Sequence, residues 1–266
     1  MNSHNTFGER FTFTSFGESH GIAVGGVLDG VPAGLKIDMN LIRDELNRRS
    51  GKGQTATSPR ARIETDEVEW LSGVKDGISL GTPIAFILRN TQQKSEDYEV
   101  LKHTLRPGHA DFTAMVKHGD AHDYRGGGHF SGRLTAPLCI LGGLCLQLLE
   151  KEGISVESRI TEIAGICGDE DKMKQAVLGA KADGDSVGGV IECTVLGLPI
   201  GLGDSMFDGM ESRISRLVFG IPAVKGIEFG LGFGAAKIRG SENNDPFEIR
   251  GGKVVTKTNN CGGILG

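Results

Sequence analysis

Apolar and polar positions alternate along FTFTSF at 11–16 and, interspersed with glycines, along 22–29, which is the pattern of half-buried strands. Further strand-like runs fall at 66–74, 83–89, 154–164, 187–197 and 224–230, and FEIRGGKVVTK at 247–257 reads as a hairpin turning on two glycines. The period changes to three and four after Asp38, where Met39, Ile42 and Leu46 share a face. A helix capped by Asp38 is therefore expected through Arg49. Other helices are expected at 96–103, 110–118, 135–152, 169–182 and 208–219. The apolar run LTAPLCILGGLCLQLL at 134–149 is too short to span a bilayer and reads as a core helix. Its start is set by Pro137, which is tolerated in a first turn beginning near Thr135 but not deeper in a helix, so HFSGR at 129–133 is expected to be a loop. Strands follow one another across short turns as often as they alternate with helices, so the pattern predicts an α+β fold with antiparallel sheets. No Pro- or Ser-rich linker interrupts the chain, and residues 1–266 read as one domain.

Composition narrows the partners. Charged residues make up 24% and the net charge is −5, so neither nucleic acid nor an anionic membrane is expected, and any anionic ligand must be met by a local cluster. Five cysteines, with no C-x-x-C pair, suit reduced thiols in a cytoplasmic protein and not a metal site. The N-terminal MNSHNTFGERF has no signal-peptide core. Glycine is the outlier: 42 residues, far above an average share of about 7%, imply many tight turns and close backbone approaches.

Three glycine-flanked clusters carry ionisable groups: GESHG at 17–21, LRPGHAD at 105–111 and HDYRGGGHFSGRLT at 122–135. GESHG fits the G-x-S-x-G nucleophile elbow, which would make Ser19 a hydrolase nucleophile. The elbow needs a helix straight after the serine, whereas IAVGGVLDGVPAG reads as a second strand closed by a turn, so this reading is set aside. Arg48, Arg49, Arg106, Arg125 and Arg133 lie in or beside turns, where a guanidinium fork can take a phosphate or carboxylate with two parallel hydrogen bonds. His4, His103, His118 and His122 are read as ordinary polar positions, as is DEDKMKQ at 169–175.

The three clusters, in this order, resemble the chorismate synthase family along the whole chain. IPAVKGIEFG at 221–230, RGSENND at 239–245 and the terminal CGGILG are similar to further blocks of that family. The resemblance implies a β-α-β sandwich and a lyase that converts 5-enolpyruvylshikimate 3-phosphate to chorismate by anti-1,4-elimination, with reduced FMN as cofactor and NADPH as a possible reductant. It implies catalytic roles for His20, His109 and Ser19, and substrate binding by Arg48, Arg106 and Arg133. Flavin or nucleotide contacts are implied for Arg49, His129, Phe130, Ser131, Pro222, Ala223 and Gly266. A cytoplasmic homotetramer in aromatic amino acid biosynthesis is implied as well. Many relatives carry Arg where His129 stands and Glu where Leu134 stands. They also continue past CGGILG into a Lys-Pro-Thr block and an Arg-x-Asp block, so the C-terminal part of the flavin pocket and an acid-base Asp are expected to lie beyond this sequence. A nonenzymatic flavin- or phosphate-binding remnant is the alternative reading.

Overall fold

The computed structural model describes residues 5–51, 66–91 and 104–265. The helix expected at 96–103, together with His4, His103 and Gly266, lies outside them. The chain divides into two compact units, Met1–Leu198 and Pro199–Gly266.

In the first unit the strands β1 (Thr6–Phe7), β2 (Thr12–Gly17) and β3 (Ala23–Asp29) precede helix α1 (Met39–Ser50). Strand β4 (Val68–Ser72), a short hairpin of β5 (Val74–Lys75) and β6 (Ile78–Ser79), and β7 (Ile84–Arg89) follow. Five of these strands form an antiparallel sheet in the order β1-β2-β3-β7-β4. Helices α2 (Asp111–His118) and α3 (Thr135–Lys151) lead to β8 (Ser155–Ile163), β9 (Ile166–Cys167), α4 (Glu170–Ala182) and β10 (Gly189–Leu196). The last three strands form a second antiparallel sheet, β10-β8-β9.

The core of this unit is where α1 and α3 meet the larger sheet. Val24, Leu28, Ile84, Phe86 and Leu88 pack with Ile42 and Leu46 of α1 and Ile140 and Leu144 of α3. Burying side chains of this size contributes about 1.5–3 kcal/mol each. With the turns before it, the helical run Arg125–Lys151 is apolar and 27 residues long, the length of a membrane span. Its buried face is spent inside the protein, on Ala136, Ile140 and Leu144. Pro137 sits in the first turn of α3, as expected from the sequence.

A single amide fixes the two helices against each other. Gln147, 6% exposed on α3, accepts from Asp38 N at 2.7 Å and donates to Asp38 O at 3.3 Å. Asp38 in turn caps α1, its carboxylate accepting from Asn40 N and Leu41 N. Replacing Gln147 by leucine keeps the bulk but strands the Asp38 backbone groups, and about 1–3 kcal/mol of stability is expected to go with them in urea unfolding.

The second unit holds α5 (Met210–Val218), α6 (Gly240–Asn243) and a hairpin of β11 (Phe247–Arg250) and β12 (Lys253–Thr256). The hairpin turns on Gly251 and Gly252 at φ of 59° and 77°, the left-handed pair such a two-residue turn needs.

Two expectations are corrected. Residues 224–230 form no strand: no ladder partner lies beside them among the described residues, and the backbone bonds locally, Val224 N to Ile221 O and Leu231 N to Asn260 O. Strand preference is largely packing on a pleated neighbour, which is missing here. HFSGR is not an open loop either. Arg125–Phe130 and Gly132–Leu134 form short 3-10 turns, the first kinked where Gly126, Gly127 and Gly128 take positive, non-helical φ, the second begun by Ser131, whose Oγ accepts from Arg133 N at 3.3 Å.

Candidate active site

GESHG is the connection of the β2–β3 hairpin, whose strands pair from Thr12↔Asp29 to Gly17↔Val24. No helix follows Ser19, so the elbow geometry is absent. The 3-10 turns of the third cluster lie against this connection. Ser19 N donates to Gly128 O at 3.1 Å, and the carbonyl of Gly17 takes a bond of 2.8 Å from His129 Nδ1, which therefore carries the proton. Gly126 packs on the ring of His20, which is 3% exposed: a Cβ on Gly126 would lie 2.2 Å from His20 Nδ1 and 2.9 Å from Ser19 Oγ.

On the other side of the glycines a cleft of about 260 Å³ opens toward the second cluster. Arg106, His109, Phe130 and Ser131, all anticipated from the sequence, line it together with Gly126 and Gly127. His109 Nδ1 donates to Pro107 O at 3.0 Å, which leaves Nε2 as the atom able to exchange a proton with a ligand. Arg106 holds Asp111 through Nε at 2.8 Å and NH2 at 2.7 Å. That bond keeps the Asp111 carboxyl below the usual carboxylate range. A matching pair, Arg125 with Asp123 at 2.8 Å on both nitrogens, keeps Asp123 low, with a smaller contribution from His20. Of the two arginines only Arg106 lines the cleft, and it is already partnered by a carboxylate. An incoming anion must share it or draw on His109 and His122, a cleft residue without a signal in the sequence.

Behind the turn lies a second ionic group. Arg133, 9% exposed, donates to Asp66 Oδ1 at 2.5 Å, Asn90 Oδ1 at 3.0 Å and Arg89 O at 3.4 Å. Asp66 Oδ2 also lies 3.5 Å from Arg49, whose Nε donates to Thr135 Oγ1 at 2.8 Å and NH2 to Gly132 O at 3.2 Å. Asn90 completes the group by donating to Glu18 O at 3.0 Å and Gly21 O at 2.9 Å. Arg48 is elsewhere, on an exposed face of α1 and paired with Glu45. Pro222 and Ala223 fall in the second unit, just after α5, and Ala223 is held at φ 70°, a strained backbone for a residue with a Cβ.

Asp66 and Asn90 had no signal in the sequence, since each is a single polar residue at the end of a strand pattern. Volume alone would also have misplaced the site. A larger groove, about 500 Å³, runs between β8, β10 and α4, but its walls are mainly apolar, as at Ile160, Val177 and Ile191, and none of the anticipated residues lines it. Burial also raises Cys145 to about 11, which keeps that thiol protonated and inert.

An α+β protein of antiparallel sheets, with a small polar cleft built on glycine turns, is the class that fold and site define. The family model for chorismate synthase matches residues 11–266. The chain is 44% identical to the chorismate synthase of Dehalococcoides mccartyi, over 98% of this chain and 78% of that protein. It is 45% identical to that of Thermococcus kodakarensis, over 97% and 78%, and 46% identical to that of Chitinophaga pinensis, over 98% and 76%. A crystal structure of chorismate synthase superposes with a TM-score of 0.76 at 29% identity, over 95% of this chain and 79% of that one. The chain belongs to the chorismate synthase family, lyases of the shikimate pathway in aromatic amino acid biosynthesis.

Proposed function

We propose that this chain converts 5-enolpyruvylshikimate 3-phosphate to chorismate and phosphate by anti-1,4-elimination, with reduced FMN as cofactor. The observation that carries the reading is the junction of the three clusters: Arg106 and His109 face the glycine turns across one cleft, and His20 lies directly beneath Gly126. The residues suit a planar, anionic ring. Phe130 offers a half-exposed aromatic side chain, Gly126 and Gly127 offer backbone without side chains, and Arg106 and His109 offer cationic groups at the rim. Bound there, reduced FMN would supply the electron that lets an unactivated ring C–H bond break.

The protein's own tasks are placement and proton management. His20 is the acid that protonates the departing phosphate. Because Gly126 covers it, delivery requires the glycine turn to shift when the ligand binds. His109, donating through Nδ1 to Pro107 O, takes a second proton at Nε2 and so balances negative charge on the ring. Ser19, one residue before His20, supplies a hydroxyl to the same side. Arg106 orients substrate anions. His129, Phe130 and Ser131 hold the flavin, and Arg49 the NADPH that would reduce it. The assembly is a cytoplasmic homotetramer, for which exposed apolar side chains such as Ile191 on β10 offer contact surface.

An anaerobic assay with reduced FMN and 5-enolpyruvylshikimate 3-phosphate tests the reading, and absence of chorismate under those conditions overturns it. In the same assay Arg106→Lys is expected to raise KM about tenfold, since the point charge stays but the fork is lost. KM of both proteins should rise with ionic strength.

A further inference from the structure

Asn90 directly follows β7 at a point where three parts of the site converge. Its Nδ2 donates to the carbonyls of Glu18 and Gly21, the two ends of the turn that carries Ser19 and His20. Its Oδ1 accepts from Arg133 Nε, and its backbone N–H donates to Ile22 O at 3.1 Å. The amide can sit only one way round, because the reverse would set its oxygen against two carbonyls and its NH₂ against a guanidinium. The far side is anchored too, since Arg133 is held by the buried carboxylate of Asp66. The turn is thus gripped between the Asn90 amide on one side and Gly126 and Gly128 on the other.

We propose that Asn90 is a positioning residue which, backed by the Arg133–Asp66 pair, fixes the Glu18–Gly21 turn and with it the direction of the His20 ring. The proposal rests on the lyase reading for its consequence in catalysis, but not for its geometry. No other common side chain supplies the same set. Aspartate has the shape of asparagine but no donor for the two carbonyls, and it would bind Arg133 more strongly. Alanine removes both contacts.

The test compares Asn90→Ala and Asn90→Asp with the wild-type chain by amide hydrogen exchange and by steady-state kinetics. In both variants the amides of Ser19 and Gly21 are expected to exchange at least about tenfold faster, with little change along Val24–Leu28 of β3. Turnover should fall by about 10–100-fold with KM within about threefold, the signature of a misplaced group and not of lost binding. Unchanged exchange at Ser19 and Gly21 overturns the proposal. So does uniform acceleration through β3, which would mean a general structural role. Wild-type behaviour of Asn90→Asp also overturns it, because Asn90 would then matter only as a partner of Arg133. If the wild-type chain itself forms no chorismate, the lyase reading fails, and the exchange data still decide whether Asn90 sets the turn.

Discussion

Turnover of 5-enolpyruvylshikimate 3-phosphate is expected to fall by about 10²-fold or more when either His20 or His109 is replaced by alanine, the scale of a lost acid-base group. The two variants should differ in everything else. His109 is exposed, and among the described residues its ring bonds only to Pro107 O, so His109→Ala should leave urea unfolding close to wild type. His20 is enclosed by Gly126 and by the Ser19 turn, so His20→Ala leaves a space in a packed region and should lower stability as well as turnover. Near-normal turnover in either variant would remove that histidine from the mechanism. Acid adds a separate loss. Arg106 lowers the folded pKa of Asp111 beneath the ordinary value of about 3.9, so the pair's contribution is complete above that pH and disappears as pH falls through the lower, folded value. A fall in stability confined to that acid range, and absent in Asp111→Asn, would identify the pair as its source.

The sheets and long helices were legible because their residues repeat. Ile42 and Leu46 recur at helical spacing, and Phe13, Val24 and Leu28 sit at alternating positions, so periodicity alone assigns their faces. Elements without a period were not legible. The hairpin β5–β6 is two residues on each side, and the short 3-10 turns at 125–134 are kinked by three successive glycines of positive φ whose sequence reads equally well as a flexible loop. At the site, residue types flanked by glycine pointed to Arg106, His109 and His20, and the first two share a cleft. Sequence could not show how the arginines are spent. Arg48, Arg49 and Arg133 look alike along the chain, yet one is exposed beside Glu45 while the other two converge on Asp66, some distance along the chain from either. Long-range pairs of this kind leave no local trace.

Gly126→Ala is expected to damage the site far more than Gly127→Ala, although both glycines take positive φ, 59° and 83°. Alanine in that region of backbone costs about 1–2 kcal/mol at either position. What separates them is the space a methyl group would enter. At Gly127 it would meet Arg106 NH2 at 3.6 Å and Ser131 Cβ at 4.0 Å, ordinary contacts that need no rearrangement. At Gly126 it would fall 2.2 Å from His20 Nδ1 and 2.3 Å from Cε1, inside the ring's own radius, so either the ring or the glycine turn must be displaced. The ring cannot easily retreat, because Asn90 holds both ends of its turn and Ser19 N is tied to Gly128 O. Overpacking of this sort costs about 1–3 kcal/mol beyond the backbone strain. Displacing the ring by about 1 Å is enough to lower turnover by about 10²-fold. Urea unfolding and chorismate formation measured side by side on the two variants check this. Equal turnover in Gly126→Ala and Gly127→Ala would show that contact between the glycine turn and His20 has no part in the chemistry, and that the strained backbone alone is what alanine disturbs.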